Sequence, residues 1–290
     1  MKRSIIPIVL SFFFLTACFS NSSEANSQTE IYYIDNKGSD TIVNLALGWA
    51  EKYQSLHPDV SIAVTGGGSG TGIAGLINQT TDIANASRQI SSGEVDEANA
   101  NGVDPVEHTI ARDAIAVIVN PNNPVSQLTM QQISDIYSGK INNWSEVGGE
   151  DRPIVRLSRE VNSGTHVYFL ETVVRMGESD SDIFFSTDTL LLPSSEGIVS
   201  EVRQNPNAIG YDGLGYVPED LKTIAIAPEE GQPYILPSIP TVNDKTYPIA
   251  RDLYMYTNGE PTGVLQEYLD WILSPEAQQI VADQGFVPVR

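Results

Sequence analysis

The chain has 290 residues, 41% of them hydrophobic, and carries 16 Lys and Arg against 37 Asp and Glu, a formal charge of −21. So acidic a balance excludes nucleic acid and an anionic membrane surface as electrostatic partners. With Cys18 as the single cysteine there is no disulfide framework, and the fold must stand on its core.

Lys2 and Arg3 precede an apolar run over residues 5–15, too short to span a bilayer. The run ends at Leu15, Thr16, Ala17 and Cys18, which resembles the bacterial lipobox, where cleavage precedes the cysteine and the cysteine is acylated. Residues 1–17 are therefore expected to be a signal peptide. Residues 18–30, rich in Ser, Asn and Gln, are expected to be a lipidated flexible tether. Such an anchor places the body outside the cytoplasm, soluble but held at the membrane. Removing residues 1–17 takes away two bases and no acid, leaving 14 bases against 37 acids, or −23. That field opposes an anion at long range, but screening over ~8–10 Å leaves local dipoles free to act.

The remaining chain alternates. Residues 31–34 read as a strand feeding Gly38, Ser39, Asp40 and Thr41, and residues 41–56 have helical spacing, with Ile42, Leu45, Ala46, Trp49 and Tyr53 on one face. Residues 60–64 read as a strand feeding the glycine loop 66–72, and residues 73–77 begin a short helix. Residues 82–86 form a third strand leading into Ser87 and Arg88, and 114–119 is a continuous apolar run, as in a fully buried strand. Further on, 129–137 reads as a helix, 154–155 as a strand entering 159–165, and 167–174 as the following helix. Residues 208–211 and 223–226 read as strands, and 247–250 and 253–256 return toward the first unit. Residues 262–283 are helical, broken at Ser274 and Pro275. Strand, loop and helix in repetition is the grammar of an α/β sheet with ligands at the carboxyl ends of strands.

Three of these loops, 38–41, 66–72 and 162–165, bring Ser or Thr and bare backbone amides to a helix start. Helix starts offer unpaired N–H groups and a partial positive charge, so they bind anions. With Arg88 and Arg159 nearby, the set reads as a cage for a small tetrahedral oxyanion, built for capture rather than chemistry. The glycine loop lacks the Gly-Lys-Ser/Thr of a nucleotide loop. His57, His108 and His166 show no metal pair at helical spacing, and no loop serine lies in Gly-x-Ser-x-Gly. No metal or cofactor is expected.

Residues 37–41, 66–73, 82–88, 158–165, 208–211 and 271–275 together resemble the solute-binding lipoproteins of phosphate ABC transporters, the PstS type, and the resemblance covers residues 31–290. It implies the two-lobed type II periplasmic-binding-protein fold, α/β in both lobes, with the ligand clamped in an interlobe cleft about a hinge. Lobe 1 is expected over 31–112 plus 238–290 and lobe 2 over 113–237. It further implies that Ser39, Asp40, Thr41, Ser69 and Gly70 line the cleft from the first lobe, and Arg159, Ser163, Gly164 and Thr165 from the second. Arg88 stands where one branch of the family carries Asp, which leaves Asp40 as the carboxylate that accepts the proton of monohydrogen phosphate. Sulfate has no such proton at neutral pH, and a specific polar pairing can discriminate by ~10⁴-fold. Arg88 and Arg159 are then expected to offset the charge of Asp40. The implied function is extracytoplasmic binding of inorganic phosphate by a monomer that delivers it to ABC permease subunits. An oxyanion sensor signalling to a partner is the alternative, and a secreted phosphatase-like hydrolase a weaker one.

Overall fold

The computed structural model describes residues 31–178 and 181–289. The expected signal peptide, Cys18 and the tether lie outside the described residues.

Strands and helices alternate from the start: β1 (Tyr32–Gly38), α1 (Asp40–Leu56), β2 (Val60–Thr65), α2 (Ser69–Ile77), β3 (Ile83–Ala86) and α3 (Ser92–Ala100). The long β4 (Pro105–Val119) leads to β5 (Gln127–Thr129), α4 (Met130–Tyr137), β6 (Val155–Arg159), α5 (Gly164–Phe169), β7 (Leu190–Leu192) and α6 (Ser195–Gln204). β8 (Ala208–Gly213), β9 (Lys222–Thr223), β10 (Ala225–Ala227) and α7 (Ile239–Asn243) follow. The described chain closes with β11 (Ala250–Asn258), α8 (Gly263–Ile272) and α9 (Pro275–Asp283).

One sheet runs β2-β1-β3-β11-β4-β8-β6-β7, with β9 added to β4, while β5 and β10 pair separately. β1 lies parallel between β2 and β3, so the carboxyl ends of all three open at one edge. β4 is the element that joins the two halves. Its residues 105–114 pair antiparallel with β11, and Ile115 to Val119 pair antiparallel with β8.

Two main cores lie to either side of that junction. In the first, α1 buries Ile42, Leu45, Ala46, Trp49 and Tyr53 against Ile34, Ile62, Ile83 and Ile110 of the sheet. The indole of Trp49 donates to the Ala277 carbonyl at 2.9 Å and fastens α9 to α1. In the second, Ile115, Val117 and Val119 pack with Ile133, Tyr137, Trp144, Phe169 and Tyr211. Phe169 stacks face to face on Tyr211, with centroids 3.6 Å apart and planes 2° from parallel, inside this core. Val242, Tyr247 and Ile249 belong to this second core, and the Tyr247 hydroxyl donates to the Ile115 carbonyl at 2.7 Å.

Three elements differ from their sequence outlines. β4 begins at Pro105, well before the apolar run, because β11 covers its polar half with a ladder. α2 begins at Ser69 inside the glycine-rich stretch. Gly72 makes this possible, since a Cβ there would lie 2.5 Å from the Lys37 carbonyl. α5 begins at Gly164 and continues as a π turn over Leu170–Val174. The break at Ser274 is as read: its hydroxyl caps α9 and Pro275 takes the first helical position.

Candidate functional site

The three loops meet at one buried place. β1 turns into α1 at Gly38, whose φ of +143° suits glycine and where a Cβ would run into the Asn85 carbonyl. That turn buries Ser39 and Thr41 at the start of α1. At the start of α2 Ser69 is fully buried, its hydroxyl accepting from the Ser87 amide at 3.0 Å and lying 3.2 Å from the Ser87 hydroxyl. At the start of α5 Ser163 accepts from the Thr165 amide at 3.2 Å, a helix cap in its own right. Gly164 presses on the other two loops: a Cβ there would stand 2.6 Å from the Ser87 hydroxyl and 3.0 Å from the Ser69 Cβ. The hydroxyls of Thr41 and Thr165 lie 2.9 Å apart. On the rim, Asn162 accepts from the Gly70 amide at 3.2 Å and donates its side-chain N–H to the Gly67 carbonyl at 3.0 Å.

Two guanidinium groups enter this cluster. Arg159, 1% exposed, ends β6 and donates to Asp40 at 2.7 Å, to the Ser195 hydroxyl at 2.9 Å and to the Pro193 carbonyl at 3.0 Å. Its Nε has no partner among the described residues, so one buried donor is left over. Asp40 also accepts from the Gly67 amide at 2.8 Å, which ties the first loop to the glycine loop. Behind Ser195, Asp212 accepts the serine O–H at 3.0 Å and the Gly213 amide at 2.8 Å. Burial pushes the Asp212 carboxyl up to about 6, against the pull of Arg159. The second guanidinium is Arg251 of β11. It donates to Asp113 at 3.0 Å, to the Thr165 hydroxyl at 2.9 Å, to the Thr41 hydroxyl at 3.3 Å and to the Ser87 carbonyl at 2.9 Å. Burial pushes the Asp113 carboxyl up as well, and Arg251 works against that.

The sequence-derived residues Ser39, Asp40, Thr41, Ser69, Gly70, Arg159, Ser163, Gly164 and Thr165 thus come together. Arg88 does not join them. It makes a two-pronged pair with Glu94 at 2.8 and 2.6 Å and lines a neighbouring cleft of about 580 Å³ with Tyr168, Arg251 and Tyr254. The counter-charge to Asp40 is Arg159 alone. Burial pushes the Glu94 carboxyl up, but the hydrogen bonds from Arg88 and Ser91 outweigh that and hold it below its usual range. Sequence reasoning missed Ser87, Asp113, Ser195, Asp212 and Arg251.

Chemically, the cluster offers hydroxyl and amide donors and two fixed cations, and the nearby Ser158 hydroxyl that meets His166 is fully buried and shared with the Tyr211 hydroxyl. His166 is pushed down by burial, and its ring is spent on the Ser158 hydroxyl at 2.9 Å and on packing against Phe185. Among the described residues no group of three or more His, Cys, Asp or Glu could hold a metal. Helix starts, hydroxyls and arginines gathered at the seam of a two-cored α/β sheet define an oxyanion-binding member of the periplasmic-binding-protein class. The family model described as the PBP superfamily domain matches residues 23–276. The phosphate-binding protein PstS of Pseudomonas aeruginosa is 32% identical over 273 residues, covering 88% of this chain and 83% of that protein. PstS of Bacillus subtilis is 31% identical over 275 residues, covering 93% and 85%. A Clostridium perfringens structure with bound phosphate, described as a phosphate ABC transporter substrate-binding protein, superposes with a TM-score of 0.78 at 34% identity, covering 89% of this chain and all of that one. The chain belongs to the PstS-type phosphate-binding proteins of the PBP superfamily.

Proposed function

We propose that the protein captures inorganic phosphate outside the cytoplasm and delivers it to the permease of an ABC transporter. The observation that carries this is the convergence of three hydroxyl-bearing helix starts on Arg159, with its unpartnered Nε, in one buried cluster. Monohydrogen phosphate presents four oxygens and one proton. Thr41, Ser69, Ser163, Thr165, the helix-start amides and Arg159 supply donors for the oxygens. Asp40, whose oxygens keep lone pairs beyond those used by Gly67 and Arg159, accepts the proton. Charge-assisted hydrogen bonds contribute ~1.5–3 kcal/mol each, so eight to twelve of them, less ordering and closure costs, exceed the ~8 kcal/mol of a micromolar complex. Capture without turnover also accords with PstS relatives named for binding rather than for a reaction.

The lobes in this reading are 31–112 with the C-terminal segment, and 113–237. Residues 239–249 move with the second lobe because they pack in its core, so the bending line lies where Asp113 and Ala114 face Arg251 and Ala250. No helix among the described residues is long and apolar enough to cross a membrane. Attachment is assigned to acylated Cys18, and Cys18→Ser is expected to abolish incorporation of labelled palmitate in cells. Equilibrium dialysis against radiolabelled phosphate, with excess sulfate as competitor, tests the function. Retention of label that sulfate does not displace supports capture; no retention removes it.

A further inference from the structure

Arg251 and Asp113 occupy a place that phosphate capture alone does not account for. They are direct partners in the β4–β11 ladder, at the end of the stretch where β4 leaves β11 for β8. Both side chains are nearly fully buried, 3% and 0% exposed, and joined at 3.0 Å. A buried ion pair is seldom a net source of stability, because desolvating two charges costs about as much as their attraction returns. Its partners show another use. From this central position Arg251 donates to hydroxyls of both lobes, Thr41 at the start of α1 and Thr165 at the start of α5, which themselves lie 2.9 Å apart.

A hydroxyl has one proton and two lone pairs. A guanidinium N–H directed at the oxygen engages a lone pair and turns the O–H dipole away from the cation. Because the two hydroxyls lie 2.9 Å apart, one donates to the other, and with Arg251 behind both, the remaining proton of the pair is aimed from the guanidinium into the cluster, where an anion would receive it. The arrangement is complete only when α1 and α5 are both against Arg251, that is, when the lobes have closed.

We propose that Arg251 is a positioning residue for phosphate: held by Asp113 at the bending line, it fixes the linked Thr41 and Thr165 hydroxyls so that the free proton of the pair points toward the anion, and does so only in the closed form. This rests on the phosphate-capture reading. Lysine cannot replace it, since a single ammonium on a flexible stem does not reach two hydroxyls, a carboxylate and the Ser87 carbonyl in one plane.

The test uses titration calorimetry and stopped-flow dissociation with inorganic phosphate. Arg251→Gln alone leaves Asp113 buried without its partner, so the second variant is the neutral pair Asp113→Asn with Arg251→Gln, which removes both charges, keeps the Asp113 shape and leaves an amide donor at the shorter residue 251. Circular dichroism and thermal unfolding establish that it folds. The expected result is phosphate affinity weakened at least about tenfold, mainly through faster dissociation, with Arg251→Lys failing to restore it. Thr165→Val is expected to weaken binding strongly in the wild-type background and by a clearly smaller factor in the neutral-pair background, because Arg251 acts through Thr165. A folded neutral-pair variant that binds within about threefold of wild type overturns the proposal, as does an equal Thr165→Val factor in the two backgrounds. A wild-type protein that binds no phosphate overturns the capture reading itself, and this proposal with it.

Discussion

Gly164→Ala tests the seam with one methyl group. In the structure that carbon would stand 2.6 Å from the Ser87 hydroxyl and 3.0 Å from the Ser69 Cβ, where ordinary contact begins near 3.4 Å. The serines cannot simply rotate aside, since the Ser69 hydroxyl is held by the Ser87 amide at 3.0 Å and faces the Ser87 hydroxyl at 3.2 Å. The Ser69 hydroxyl would be nearer still, so the start of α5 must back away from α2 by at least about 0.8 Å, the amount that relieves the 2.6 Å contact. A shift of that size breaks the 2.9 Å contact between Thr41 and Thr165. Overpacking of this kind costs about 1–3 kcal/mol. Falling on the closed form only, it weakens phosphate binding by about 5- to 150-fold. The two cores lie elsewhere, so the unfolding midpoint should move little. Calorimetric titration beside a thermal melt reads both quantities. Affinity within about twofold of wild type, with a normal melt, would refute the placement of Gly164 against α2 in the bound protein.

Asp40→Asn removes the acceptor assigned to the phosphate proton and the charge facing Arg159; phosphate should bind more weakly and its margin over sulfate shrink at least about tenfold, read by paired titrations. Unchanged sulfate rejection would move selectivity elsewhere. Asp212 gives a pH signature. Its carboxyl is raised from 3.8 to about 6, so the stability tied to its protonated form is complete below pH 3.8 and lost as pH rises through 6, about 3 kcal/mol in all. Urea titrations should find Asp212→Asn more stable than wild type at pH 7.5 and without that advantage at pH 4, as the amide oxygen still accepts from Ser195 and Gly213. Arg88→Gln should leave phosphate affinity within about threefold and cost about 1 kcal/mol of stability, because its partner is Glu94. A loss of affinity beyond tenfold would return Arg88 to the anion.

The parts of this fold that local sequence determines were legible. The apolar spacing of α1, the alternation of β2, the apolar half of β4 and the Ser274–Pro275 break each follow from period or cap chemistry. The three loops stood out because glycine and hydroxyl residues gather where strands end. What escaped depends on register across the chain. Asp113 and Arg251 are 138 positions apart, and only the β4–β11 ladder sets them side by side. Ser195 and Asp212 likewise meet Arg159 only because α6 and β8 pack beside β6. Arg88 is different, since its true partner was readable. Ser91 and Glu94 have the spacing of a capping box, which fixes a carboxylate one turn from Arg88 and claims its guanidinium. α2 began early because Gly72 answers to a close backbone approach rather than to helix propensity.

The most direct test is a crystal structure of the protein grown with phosphate. Capture at the seam predicts phosphate buried between α1, α2 and α5, with Arg159 and the hydroxyls of Thr41, Ser69 and Thr165 at hydrogen-bonding distance, about 2.6–3.1 Å. Phosphate lodged instead in the cleft beside Arg88 and Tyr254, or an empty seam in crystals saturated with phosphate, would contradict it.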